Sequence, residues 1–303
     1  MTGVRLTAVV VTYRSEQTLP AAIESARRCH DAGVMETVFV DNASPDRTRD
    51  LLEPVKTWAT VVSNNGNVGF GRGCNRGLAE VRTPLTIFLN PDATLEPEAA
   101  MRLVRFMDAT PRAGICGPAI IEQNGSLQFA GIRPTPLGLL ARYWRGGLDR
   151  GLFRIEPGSS PVRCGWICGA AFVIRTELAR ELGGFDPRFF MYFEESDLSK
   201  RAEDKGWEIW TVGEAVAHHL AGASSEDDAT RISGCIARFY YQSRFYYFRK
   251  HHGWLAATAT DIAELIMLLV GCAKDVVRGR GIGRLRPRLQ TALFRSPEQV
   301  AAG

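Results

Sequence analysis

Three carboxylates, Glu194, Glu195 and Asp197, follow an aromatic run in the segment GGFDPRFFMYFEESDLSK (Gly183 to Lys200), at what reads as the start of a helix. A carboxylate packed against aromatic rings loses hydration, and its pKa rises towards the range where it can accept a proton from a substrate hydroxyl. The same acids would also suit a helix N-terminus, whose dipole favours negative charge. A second polar set follows four short apolar runs: Thr12 and Tyr13, Asp41 and Asn42, Asn64 to Asn67, and Asn90, Pro91 and Asp92. Asp41 can accept from a base N–H or a ribose hydroxyl, Tyr13 offers a face for stacking, and Asp92 can hold a hard divalent cation against a diphosphate. Each acid alone would equally serve an Asx turn after a strand.

The elements that must position these groups follow from periodicity. Apolar runs at Thr7 to Val11, Thr37 to Val40, Val61 to Val62 and Leu85 to Leu89 alternate with helical segments at Thr18 to Cys29, Pro45 to Leu52 and Arg72 to Val81. This βαβαβαβ order implies a mostly parallel sheet flanked by helices, with ligands outside the carboxyl ends of its strands. Ser44 and Pro45 supply an N-cap and an N1 proline for the second helix. The glycine-rich stretch Asn64 to Gly77 fails the GxGxxG spacing, with Cys74 or Arg76 where the last glycine should stand, and TYRS follows the first strand. A nicotinamide or flavin enzyme is thereby disfavoured. What remains is a basic, flexible loop holding Arg72 and Arg76, which leads into a helix whose N-terminal amides could face a phosphate. In CGWICGAAFVIR, an exposed Trp166, with Gly169 beside it, would stack on an acceptor sugar ring.

The chain has 303 residues, 45% of them apolar, and a net charge of +4, which fits one soluble domain with a large core. The N-terminal apolar run is short and lacks a cleavage pattern, so a cytoplasmic location is expected. Seven scattered cysteines fit reduced thiols, and the lone pair Cys164 and Cys168 is a weak zinc signal. Beyond about residue 225 the pattern changes to an aromatic-rich segment, 238–252, and a mostly apolar one, Trp254 to Ala273. Asp261 and Glu264 would fall near the centre of a membrane span, where an Asp costs about 2.5 to 3.5 kcal/mol. An amphipathic helix is expected instead, with Asp261, Glu264, Gly271, Asp275 and Arg278 on one stripe and a broad apolar face to dock on the domain, on a second copy in a homo-oligomer, or on lipid. Arg278, Arg280, Arg284, Arg286 and Arg288 would draw it to anionic head groups, at about 1 kcal/mol each. No nucleic-acid partner is expected.

The motifs VVVTYRS, VDNASPD, NNGNVGFGRGCNRG, LNPDATL, GGFDPRFFMYFEESDL and HHLAGAS stand in the order and spacing of family 2 glycosyltransferases of the GT-A fold. Over about residues 5 to 250 the chain resembles bacterial rhamnosyltransferase-type enzymes of cell-wall linker or O-antigen synthesis. The resemblance implies a glycosyltransferase domain over 1–225, with a nucleotide-sugar part (1–115) and an acceptor part (116–225), and a helical, basic, membrane-associating extension over 226–303. It places Thr12, Tyr13 and Asp41 around the nucleoside, and Asn67, Gly69, Arg72 and Asn75 on the loop that contacts base and ribose. The family's DxD position falls on Asn90, Pro91 and Asp92, so Asp92 is its only carboxylate. His219 is the implied second metal ligand, with His218 as the alternative, and this mixed shell suits Mn2+ somewhat better than Mg2+. Glu195 takes the position of the catalytic base, while Glu194 and Asp197 orient it or bind the acceptor. The implied reaction is an inverting, metal-dependent hexosyl transfer from a dTDP- or UDP-linked sugar, such as rhamnose, to a glycan or polyprenyl-diphosphate-linked glycan at the inner face of the cell membrane. The alternatives are a UDP-galactose, UDP-glucose or UDP-GlcNAc transferase and a noncatalytic nucleotide- or carbohydrate-binding protein.

Overall fold

The computed structural model describes residues 3–144, 151–220 and 234–277, together with Gly279 and Arg288. The first half is β1 (Leu6–Thr12), α1 (Leu19–Asp31), β2 (Met35–Asp41), α2 (Thr48–Leu52), a 3-10 turn at Pro54–Thr57, β3 (Thr60–Ser63), α3 (Phe70–Leu78) and β4 (Leu85–Leu89). These strands pair in parallel in the order β3-β2-β1-β4. Every residue of β1 and β4 is buried, as unbroken apolar runs in a sheet covered on both faces require. Leu6, Ala8 and Val10 enter one core with α1, whereas Val9 and Val11 enter the other with Cys74 and Leu78 of α3.

Two expectations change here. The glycine-rich stretch is helical from Phe70 onward, and its glycines serve close packing. A Cβ on Gly73 would lie 2.7 Å from Val11, and one on Gly77 2.4 Å from Val9. Ser44 and Pro45 do not open the second helix, which starts at Thr48. Instead the Ser44 amide donates to both Asp41 carboxylate oxygens at 3.2 Å, so the strand-end acid closes its own turn before a helix can begin.

The second half adds β5 (Ala93–Leu95), α4 (Pro97–Ala109), β6 (Ala113–Glu122), β7 (Phe129–Gly131), α5 (Pro136–Trp144), β8 (Leu152–Arg154), β9 (Val162–Cys164), β10 (Ala171–Arg175), α6 (Thr176–Glu181), α7 (Glu194–Asp204) and β11 (Glu208–His219). This half of the sheet is mixed. β10 runs antiparallel between β4 and β6, and β6 pairs in parallel with β11. β5 and β9 lie antiparallel along the other edge of β11, and β7 pairs with β8 apart from the main sheet.

Two further helices follow, α8 (Gly234–His252) and α9 (Trp254–Val277). The expected boundary near residue 225 and the arginines 278, 280, 284 and 286 lie outside the described residues. The aromatic segment 238–252 forms α8, and Phe245, Tyr246, Tyr247 and Phe248 pack there on Phe189 and Phe193 of the acidic segment. α9 is long and apolar enough to cross a membrane, yet its charged stripe is its buried side. Arg244 of α8 grips Glu264 through both terminal nitrogens and lies 2.8 Å from Asp261, which Arg288 also meets at 2.8 Å. The apolar face points outward, with Leu255, Ile262, Ile266, Leu269, Val270 and Val277 exposed.

Among the described residues the ion cluster turns the apolar face of α9 away from the domain. Arg244→Met would take from the buried Glu264 carboxylate the guanidinium fork that grips both of its oxygens. We expect a loss of about 3–5 kcal/mol in urea unfolding. Arg244→Lys, which keeps the charge but not the fork, should fall between the two.

Candidate active site

Strand register builds the first wall of the site. The β1–β2 pairing sets Thr12 beside Asp41, and β2–β3 sets Asp41 beside Ser63. Thr12 is fully buried, with its hydroxyl 3.4 Å from both the Val40 carbonyl and Asp41, so it braces the acid from behind. Asp41 also takes the Arg49 Nε at 2.8 Å. Tyr13 is half-exposed at the strand end, with the Arg14 guanidinium 5.6 Å from its ring centre. Asn42 ties this wall to the next loop: its amide donates to the Gly69 carbonyl at 3.1 Å and accepts from Asn64 at 2.8 Å. Asn67 accepts from the Gly69 amide at 3.1 Å. Gly69 has φ +87°, and a Cβ there would stand 2.6 Å from the Phe190 carbonyl, so the loop is pressed against the acidic segment. Arg72 and Asn75 are used for the same junction. Arg72 donates to the Pro187 carbonyl, and Asn75 bonds both the amide and the carbonyl of Phe185, each at 2.8 Å. The structure thus brings Tyr13, Asp41, Asn67 and Gly69 together and assigns Asn75 to holding two segments side by side.

The second wall depends on β11. Its antiparallel pairing with β5 sets His219 opposite Ala93, and the Leu220 amide meets the Asp92 carbonyl at 2.7 Å. His219 is buried and His218 exposed, as strand alternation dictates, which settles which of the two imidazoles can face Asp92. The His219 Nε2 and the Asp92 Oδ1, both buried, lie 3.1 Å apart as an ion pair, and neither atom has a further hydrogen-bond partner among the described residues. A divalent cation would fit between these two converging donors in place of the proton they share, since a ligating imidazole nitrogen must be deprotonated. On the far side of the ring, Glu122 is 3.5 Å and Gln128 3.1 Å from Nδ1, the carboxylate–imidazole backing found behind metal-bound histidines. Burial opposes charge on this ring, but Asp92 and Glu122 prevail and hold its pKa above the ordinary value. Asn90 is fixed through its amide on the Ala170 carbonyl at 2.9 Å. Asp92 and His219 are two donors only: no group of three or more acidic, histidine or cysteine side chains is arranged to hold one metal ion among the described residues.

The third wall is the start of α7. Tyr192 and Phe193 both have positive φ, 70° and 66°, and the two other non-glycine residues of this kind, Arg14 and Ala43, follow β1 and β2. Such residues cost about 1–3 kcal/mol each and persist where packing over-determines them. The three acids have different fates. Asp197 is fully buried and does not face the site; it is held by Arg201 at 2.8 Å, Lys250 at 2.6 Å and His251 at 2.7 Å. Burial works against its charge, but the His251 hydrogen bond and the Arg201 and Lys250 charges prevail and lower its pKa. Glu194 is buried with Oε2 unpartnered; burial and then the Glu195 charge push its pKa well up, which disfavours its charged form. Glu195 is half-buried, and its Oε1 accepts from the Trp166 indole at 3.2 Å. Burial raises its pKa, opposed by its backbone hydrogen bond and the indole. Trp166 is 6% exposed, so the expectation of an open stacking platform is corrected: the ring is tucked in to hold Glu195. Gly169 lies against the same carboxylate, where a Cβ would stand 3.6 Å from the Glu195 Cγ.

Arg49, Glu122, Gln128 and Lys250 were not singled out in the sequence. Glu122 was findable, since it ends an apolar run as Asp41 does; Lys250 was not, because its partners are 53 and 64 positions away.

The family model described as Glycosyl transferase family 2 matches residues 7–182. The chain is 27% identical over 275 aligned positions to N-acetylglucosaminyl-diphospho-decaprenol L-rhamnosyltransferase of Mycobacterium tuberculosis, covering 83% of this chain and 87% of that protein. Among solved structures, GalNAc-T7 with UDP, GalNAc and Mn2+ superposes with a TM-score of 0.57 at 17% identity, over 87% of this chain and 58% of that one. The mannosyltransferase PcManGT of Pyrobaculum calidifontis, with GDP-Man and Mn2+, gives 0.54 at 15% identity, over 96% and 85%.

In carboxyl-detected NMR, Glu195 should titrate above the ordinary range. Trp166→Phe removes the donor that favours its ionised form, so the midpoint should move further up.

Proposed function

The chain belongs to glycosyl transferase family 2 and has the GT-A fold, and on that premise we propose that it moves a sugar from a nucleoside-diphosphate donor to an acceptor hydroxyl with inversion. The observation that carries this reading is the isolation of Glu195. Of the three clustered acids, Asp197 is locked in ion pairs and Glu194 is buried with its charge disfavoured, which leaves the part-exposed Glu195 as the carboxylate placed to act as a base. One base and no second carboxylate as nucleophile fit a single displacement.

With Oε1 held by the indole, Glu195 Oε2 takes the proton from the acceptor hydroxyl, whose oxygen bonds to the anomeric carbon as the bond to the diphosphate breaks. Tyr13 and Asp41 hold the nucleoside, with Asn67 and Gly69 closing the loop beside it. Asp92 and His219 would hold a divalent cation, which supplies charge neutralisation for the leaving diphosphate. Glu122 and Gln128 orient the imidazole.

The M. tuberculosis relative is named for rhamnosyl transfer to a diphospho-decaprenol-linked sugar, and this supports a dTDP-rhamnose donor and a polyprenyl-diphosphate-linked acceptor in envelope polysaccharide synthesis. A UDP-linked donor is the second reading, favoured by the UDP in the GalNAc-T7 complex. The outward apolar face of α9 supports a peripheral seat on the inner face of the membrane, since an amphipathic helix lies with that face in the lipid.

Glu195→Gln should lower transfer by at least about 100-fold, the low end of what general base catalysis supplies, while dTDP or UDP with Mn2+ still stabilises the protein in a thermal-shift assay, by about 2.7 kcal/mol at a hundred times the dissociation constant. Unchanged transfer in this variant would remove the base from Glu195. Flotation with vesicles containing anionic lipid tests the membrane seat. Ile266→Asp with Leu269→Asp should abolish flotation, and flotation equal to wild type would overturn it.

A further inference from the structure

Trp166, whose indole holds Glu195, also lines an open pocket between residues 132–135, α5, β8 and α8. Leu139, Leu152, Phe193, Tyr240 and Phe248 make the rest of its wall. Phe193 is the residue immediately before the acidic pair, so the pocket shares two walls with the base. Two cations line it. Arg244 is already taken up by Glu264 and Asp261. Arg133 is 43% exposed, with one nitrogen 3.2 Å from Glu203, and is the cation placed to meet a ligand from solvent.

The apolar character does not stop at the rim. Ile132, also lining the pocket, is 61% exposed, and Leu137 on α5 is 80% exposed. α5 packs against α9, the helix whose apolar face points outward. Exposed apolar side chains therefore stand at the pocket rim and on α5, next to the helix proposed to lie in lipid. A free glycan would leave these walls unmatched, since aromatic and aliphatic side chains with one cation at the edge fit an amphiphile.

Resting on the glycosyltransferase reading above, we infer that this pocket binds the first isoprene units of a prenyl-diphosphate-linked acceptor, with Arg133 on the diphosphate and the remaining chain running over α5 towards α9. The sugar hydroxyl is thereby brought to Glu195 from the lipid side, and acceptors are selected by their tail as well as by their sugar.

Binding of farnesyl diphosphate to the full chain, followed by titration calorimetry without donor, tests this. Wild type should bind it at least tenfold more tightly than inorganic diphosphate or dodecyl phosphate. Leu139→Trp, which fills the pocket, should weaken it at least tenfold while leaving the thermal shift with dTDP or UDP unchanged. A diazirine analogue of farnesyl diphosphate offers a test that needs no variant, and its label should fall within residues 132–152 or 239–248. Equal affinity for dodecyl phosphate, no effect of Leu139→Trp, or label confined to α9 would each overturn the inference. Because these measurements need no donor, transfer unchanged in Glu195→Gln would count against the proposed function and leave the pocket standing.

Discussion

One ammonium group holds the acidic segment of this protein in place. The Lys250 Nζ lies 2.8 Å from Asp186 and 2.6 Å from Asp197, both of them buried carboxylates. Asp186 also binds Arg188 and the Tyr246 hydroxyl, and Asp197 binds Arg201 and His251. Through this cluster α8 is fastened to both ends of the segment that carries the acidic pair. Two carboxylates this deep would be strongly unfavourable without their cations, so the segment takes one arrangement, with α8 against it. The positive φ angles of Tyr192 and Phe193 are held in the same clamp, between the ion cluster and the aromatic rings of α8.

That clamp explains why three neighbouring acids behave differently. On a free helix terminus they would all be solvated and ionised. Here Asp197 is drawn into the cluster, Glu194 is turned under α3 beside Gly71, and Glu195 alone remains at the indole. The opposite wall uses strand pairing instead. The β5–β11 and β6–β11 registers bring Asp92 and Glu122, 30 positions apart, to the two nitrogens of one imidazole. A hydrogen-bonded register tolerates little slip, so a pair of donors set in this way keeps its spacing whether or not a ligand is bound.

α9 reverses the usual rule that apolar faces turn inward. The buried stripe of Asp261 and Glu264 is compensated by Arg244 and Arg288, and it costs the helix the chance to cover its apolar side with the domain. Such a cluster is seldom a gain in stability over a well-packed apolar one. Its effect is to fix which face points outward, and that is the property a membrane-lying helix needs.

The alternating βα pattern, the polar residues after each strand and the acidic cluster could be found in the sequence, because a buried strand is a local apolar run and its end is marked by the first polar residues. The family resemblance supplied the roles proposed for Glu195, Asp92 and His219. What the sequence left open was decided by contacts between distant segments. Strand alternation against β5 put His219 and not His218 beside Asp92. The turn closed by Asp41 displaced the helix start expected at Ser44. The Trp166 ring, expected to be open, is buried on Glu195, and Asp197 is committed to Lys250 and His251 from a helix more than fifty residues on. Even the direction of the α9 stripe was undecided, since a helical wheel shows that two faces differ but only a partner such as Arg244 determines which of them is covered.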